Sequence, residues 1–358
     1  MLSWFTTLDK TVQAALITAA VTVTSIVVKD LLVTAWHARR KERQDALAVL
    51  QRYADPLGSS ATSLLYRLNE ILHSPERGAY LRADAPKNQY NEHKRLSTIY
   101  RMAAVIGWIR AIRREQSYLR GGRRAVAART HAALTALEGA LADGPAVETE
   151  RLKKFAQLWN RKLPDDPVKI ERLGVLLEQA TDKACVNLGL AGCASATGDQ
   201  RERLCRSVAD VLTSEFRSEA IPDAVIRETC EQGFLILRIR EAWIFRDWQA
   251  AIGDVMLKPV QGSTRRFDVI GYGEFEDQFV NGSGEQKKWF GRLAEVIDDL
   301  DVTLLQSDDA RRVQLQKLFR ATGETIVALS VADTEAMFAS GTLSLARKAA
   351  AQVQKTAT

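Results

Sequence analysis

The sequence is poor in the residues that most often hold metals. Its 358 residues include 4 Cys and 4 His. No two of Cys185, Cys193, Cys205 and Cys230 stand as Cys-x-x-Cys, and His37, His73, His93 and His131 are remote from them along the chain. Zinc sites of ordinary spacing are thereby excluded, and no cofactor is expected. Signature motifs are missing as well: there is no Gly-x-x-x-x-Gly-Lys-Ser/Thr, no Gly-x-Ser-x-Gly and no His-Glu-x-x-His. That removes the phosphate loop, the nucleophile elbow and the zinc-protease helix, and Gly271-Tyr272-Gly273 is too short to cradle a phosphate. No repeat period is present. Enzymes are made less expected by these gaps but stay open, because acids and bases brought from distant helices leave no local signature.

What is present is a globular composition with an uneven charge. Hydrophobic residues make up 46% and charged residues 26%, enough for one or two cores. The net charge of +6 is concentrated: residues 29–130 carry 20 Lys/Arg against 9 Asp/Glu, while residues 131–358 carry 29 against 34. A basic half of this kind suits a polyanion, either an anionic membrane surface or a nucleic acid. The membrane is favoured over nucleic acid by what stands next to it, and a plain solvated surface is as good a reading as either.

That neighbour is Val12 to Val28, seventeen residues without a formal charge. A helix from Val12 to Trp36 would be roughly 37 Å long at 1.5 Å per residue, against a hydrocarbon core of about 30 Å. Lys10 precedes the run, and Arg39, Arg40, Lys41 and Arg43 follow it. The positive-inside bias then predicts a single-pass protein of the inner membrane, with its N-terminus outside and its C-terminal domain in the cytoplasm, where the cysteines stay reduced. A cleaved signal peptide would need a charged segment ahead of the run. A buried helix of a soluble fold stays open, since Ala and Thr dilute the run and Lys29-Asp30 interrupts it. Ala15, Thr18, Ala19, Thr22 and Ser25 put small residues on neighbouring turns, which allows close self-association.

The remainder reads as all-α: a transmembrane helix followed by a cytoplasmic multi-helix bundle. The expected divisions are a short external tail (1–11), the membrane helix (12–36), a first part of the helical core (37–147), an inserted helical subdomain (148–231), a second part of the core (232–332) and an Ala-rich tail or helix (333–358). Asp55-Pro56 is expected to break or kink the first long helix. Ile99, Met102, Ile106, Ile109 and Ile112 recur at steps of three and four and mark a central helix from Glu92 to Leu119. A second core helix is expected from Phe234 to Leu257, and a near-heptad helix from Gln286 to Leu305, followed by a helix from Ala310 to Ala332.

Two constellations could carry chemistry. Arg246, Gln249 and Gly253 share one helical face, with the glycine leaving room for another backbone or a ligand. Asp247 and Asp254 are about 10 Å apart along a helix, too far to act as one acid pair. Charges on apolar helices need partners, so Arg113, Arg114 and Glu115 are expected to meet Arg246 and Gln249 in a buried polar network.

The blocks ADPLGSSATSLLYRLNEIL, TIYRMAAVIGWIRAIRREQSYLRGG, IFRDWQAAIGDVM and VIGYGEF, in this order, resemble those of a widespread uncharacterised family of helical proteins from bacteria, plants and fungi. The matching positions are Trp108, Arg113, Arg114, Glu115, Arg246, Gln249, Ile252, Gly253, Gly271, Tyr272 and Phe275. The family pattern often has Arg after the Gln, where this chain has Ala250. The resemblance implies a shared helical core and no assigned activity. The sequence therefore favours a membrane-anchored interaction, adaptor or sensor module, assembling through the helix Gln286 to Leu305 or the small-residue face. The alternatives are a hydrolase or nucleotide-binding enzyme with a polar cleft around Arg246, Gln249 and Glu115, and nucleic-acid binding through the basic half.

Overall fold

In the computed structural model the described residues are 9–117, 126–142, 147–190, 192–216, 219–239, 241–282, 284–303, 309–332 and 338–352. The first element, α1 (Lys10–His73), is one helix of 64 residues, about 96 Å long at 1.5 Å per residue. Asp9 starts it by accepting the Thr11 N–H at 3.0 Å and the Thr11 hydroxyl at 2.8 Å. Of the break or kink expected at Pro56, the break does not occur: the proline lies inside the helix. Its missing N–H and its ring disfavour that position by about 3 kcal/mol or more, but Tyr53, Ala54, Leu57 and Ala61 on either side are buried and hold the chain in register.

The expectation of a membrane span is corrected. Among the described residues no helix is long and apolar enough to cross a membrane. The uncharged run of seventeen residues covers only about 26 Å of helix, short of a core of about 30 Å. A longer span would have to take in Lys29 and Asp30, at about 2.5–3.5 kcal/mol for each charge near the centre. The single-pass topology and the inner-membrane placement built on Arg39, Arg40, Lys41 and Arg43 fall with it. These four residues are on α1, and their side chains lie outside the described residues.

The second half of α1 packs against α3 (Gln89–Ser117) and α13 (Ala310–Ala332), after a short helix α2 (Pro75–Gly78) and a 3₁₀ turn (Ala79–Leu81). Leu57, Leu64, Leu65, Leu68 and Ile71 meet Ile99, Met102, Ile106, Leu315, Phe319 and Ile326 in one core. Onto this are laid α4 (Val126–Ala142) against α13, α10 (Arg246–Met256) against α3, and α14 (Ser340–Ala350) against α13. Gly323 makes the last approach possible, since a Cβ there would stand 2.6 Å from the Ala346 carbonyl oxygen.

A separate core forms from α5 (Val147–Leu158), α6 (Pro167–Asn187), α7 (Asp199–Phe216), α8 (Asp223–Glu228) and α9 (Cys230–Leu237). Phe155, Leu177, Leu204, Val208, Leu212 and Phe234 fill it. The buried Arg151 guanidinium ties it together, donating to Glu178 at 2.6 Å and to the Ile239 carbonyl at 2.7 Å.

Three further expectations are corrected. The run Phe234 to Leu257 is not one helix: α9 ends at Leu237 and α10 begins at Arg246, and Ile239, Ala242 and Ile244 are buried in the non-helical chain between. The fold is not wholly helical, because α10 leads into a hairpin of β1 (Leu257–Pro259) and β2 (Phe267–Val269) with Leu257 opposite Val269. The hairpin leads through α11 (Tyr272–Val280) to α12 (Gly284–Ile297), which is shorter than the expected Gln286 to Leu305. Its stripe of Leu293, Val296 and Ile297, continued by Leu300, is buried in the main core rather than offered to a partner.

Candidate functional site

Three adjacent residues of α3, Arg113, Arg114 and Glu115, turn to three different partners, as successive helical side chains about 100° apart must. Arg113 donates to Glu138 at 2.8 Å and to the Thr135 hydroxyl at 3.2 Å on α4, and its Nη1 lies 2.6 Å from His131 Nδ1. Arg114 reaches Asp254 of α10 at 3.4 Å and covers the Phe267 ring at 5.1 Å. Glu115 is buried. Its two oxygens accept from Arg52 Nη1 at 2.7 Å and the Tyr53 hydroxyl at 2.5 Å, both on α1.

The Glu115 cluster also holds the hairpin. Arg52 donates to the Thr264 carbonyl and the Phe267 N–H donates to the Tyr53 hydroxyl, each at 3.3 Å. Burial, followed by the hydrogen bond to Glu115, pushes the Tyr53 phenol up to about 12. It therefore stays protonated and donating at neutral pH. A carboxylate held by a guanidinium and a phenol of another helix is a clamp between α1, α3 and the hairpin.

Gln249 and Arg246 part company on α10. Gln249 is buried, and its amide NH₂ donates to the carbonyls of Glu138 and Ile244, both at 2.8 Å. With the Ile244 N–H and Gln314 both donating to the Leu141 carbonyl, at 2.9 and 3.0 Å, it closes the C-terminal turn of α4. Arg246 is exposed at the start of α10. Gly253 faces α3: a Cβ there would fall 2.5 Å from the Arg110 Cβ. The space that the glycine leaves is therefore taken by a neighbouring helix. Next to it, Arg110 grips Asp254 with two bonds of 2.8 Å. Asp254 is thus an ion-pair partner, and Asp247 is exposed.

Of the expected network, then, α3 and α10 do meet through charges, but through Arg110, Arg114 and Asp254. Gln249 and Arg113 come to the same residue, Glu138, by different atoms. Glu115 pairs with α1 instead, an attachment that sequence spacing could not signal because 62 residues separate it from Tyr53.

Two further features stand apart from these polar contacts, the first of them unsignalled in the sequence. One is a cleft of about 290 Å³ bordered by Arg77, Tyr80, Pro86, Tyr90, Asn91 and Lys94, where the Lys94 ammonium lies over the rings of Tyr80 and Tyr90 and pairs with Glu70 at 2.6 Å. The other is the surface of α1 itself. From Lys10 to Val28 the described side chains are exposed on every side, apart from a half-buried Gln13. Val21, Val23 and Ile26 are 59%, 61% and 53% exposed. Thr18, Thr22 and Thr24 turn their hydroxyls back onto the carbonyls of Ala14, Thr18 and Ala20 at 2.7–2.8 Å, so their outward surface is methyl. Among the described residues no group of His, Cys, Asp and Glu could hold a metal ion.

No family model matches the chain, and no curated protein or solved structure matches it.

Proposed function

We propose that the protein is a helical interaction module that assembles with further copies of itself through the N-terminal arm of α1. The observation that carries this reading is that, in the uncharged helical segment 12–28, the described side chains other than Gln13 are exposed, on opposite sides of the helix. A helix apolar all round is stable only when it is covered. At 100° per residue, Val12, Val23 and Ile26 fall within about 60° of one another, and Val21 and Val28 lie about 160–180° from Val12. One neighbouring helix can cover only one of these sides, so the arm calls for at least two neighbours. Ala15, Thr18, Ala19 and Thr22 let them approach closely, and an uncharged arm brings no like-charge repulsion to a second copy.

The energetics are in the right range. Completing the burial of five half-exposed Val and Ile side chains is worth about 1 kcal/mol each, or about 5 kcal/mol per arm. Against an association cost of about 4–15 kcal/mol, this supports a concentration-dependent assembly. The enzyme reading has less support, because Gln249 and Glu115 serve different structural partners and Gly253 is filled by Arg110.

Hydrogen exchange of the full chain tests the proposal. Amides of residues 12–28 are expected to gain protection as protein concentration rises, and to lose it in Val23→Glu. Protection that is independent of concentration and unaffected by the substitution would overturn the proposal.

A further inference from the structure

The second core holds all four cysteines, and the structure divides them unequally. Cys185 is buried on the last turn of α6. The chain leaves that helix by a tight reversal: Gly189 adopts φ +67°, and the Leu190 N–H returns to the Cys185 carbonyl at 2.9 Å. A short 3₁₀ turn (Cys193–Ser195) then brings the half-buried Cys193 back, so that the two sulfurs are 3.4 Å apart. Cys205 is placed differently, with its thiol directed at the Cys230 carbonyl oxygen, 3.6 Å away.

We propose that Cys185 and Cys193 are a thiol–disulfide site, forming an intramolecular disulfide when the chain meets a small-molecule disulfide such as oxidised glutathione. The thiolate of Cys193, the more exposed of the two, attacks the reagent and releases one glutathione thiolate. Cys185 then attacks the Cys193 sulfur and releases the second. Two protein thiols are oxidised, one disulfide is reduced to two thiols, and the two protons pass to the released glutathiones. The sulfurs need to close from 3.4 Å to about 2.05 Å, a movement within reach of side-chain rotation at the end of a helix and in a short turn.

The surroundings favour a slow, durable bond. Burial and the neighbouring Cys185 push the Cys193 thiol up to about 12, and the Arg151 guanidinium only partly offsets this with Glu178 opposing it. Little thiolate is present at neutral pH, so formation is slow, and poorly acidic thiols are poor leaving groups once the bond exists. The disulfide closes a short loop and pins the end of α6 to the turn, constraining the unfolded chain.

The test uses the full chain with oxidised glutathione, alkylation of the remaining thiols and peptide mass spectrometry. Two of the 4 thiols should disappear into one peptide pair linking Cys185 to Cys193, and the same link should form in the double variant Cys205→Ser, Cys230→Ser. The oxidised form should unfold several degrees higher than the reduced one. In Cys185→Ser, Cys193 should stall as a glutathione adduct. Four alkylated thiols, a Cys205 to Cys230 link, bonds between chains, or lasting glutathione adducts on the wild type would overturn the proposal. Should Cys185→Ser fail to fold, the double variant decides.

Discussion

Replacing Glu115 probes the clamp that joins α1, α3 and the hairpin. The carboxylate is buried, the Tyr53 side chain is 0% exposed, and the Arg52 side chain is 39% exposed. Breaking a fully buried ion pair costs about 3–5 kcal/mol, but Arg52 can turn to water, so its share falls toward that of a surface pair, about 0–1 kcal/mol. Tyr53 has no such escape and loses a hydrogen bond to a charged group, about 1.5–3 kcal/mol. Glu115→Ala should therefore destabilise by about 2–4 kcal/mol. Glu115→Gln, which keeps the volume and one carbonyl acceptor, should cost about 1–2 kcal/mol. Urea unfolding of these variants, of Tyr53→Phe and of the double variant gives the coupling, provided the slope with denaturant is unchanged. A coupling of about 1 kcal/mol or more is expected. Effects of Glu115→Gln and Tyr53→Phe that add within about 0.5 kcal/mol would refute the clamp.

The remaining predictions concern other joints. Because the Tyr53 phenol is raised from 10.0 to about 12, its contribution to stability is fully present below pH 10 and is lost as pH rises toward 12; the loss should be weaker in Tyr53→Phe when midpoints are measured across that window. Gly253→Ala should cost about 1–3 kcal/mol by overpacking against Arg110, measured by thermal unfolding, and a neutral effect would mean that α3 and α10 are further apart than described. Arg151→Ala should cost about 1–3 kcal/mol, because the Ile239 carbonyl loses its donor while the Glu178 carboxylate, 37% exposed, can turn to water; if Arg151→Lys unfolded like wild type, the forked contact would not be what holds the second core.

Long periodic helices were legible from sequence. The steps of three and four from Ile99 to Ile112 do face the main core, and α13 begins and ends at Ala310 and Ala332. The break between α9 and α10 was not legible, because Ile239, Ala242 and Ile244 are buried in non-helical chain and continue the apolar run without a change of composition. The hairpin has only three residues per strand, too few for an alternating pattern. Pro56 was overruled by the burial of its neighbours. At the polar sites, sequence adjacency misled: Arg113, Arg114 and Glu115 point to α4, α10 and α1 in turn, while Gly253 did mark a close approach, to Arg110 rather than to a ligand.

Sedimentation equilibrium of the full chain, over a wide concentration range, tests assembly through the α1 arm most directly. A mass at least three times the 39.8 kDa of one chain is expected at high concentration, falling on dilution, and a single-chain mass throughout for the double variant Val21→Glu, Val23→Glu. A wild-type chain that stays at 39.8 kDa over the whole range, or a double variant that assembles as the wild type does, would contradict it.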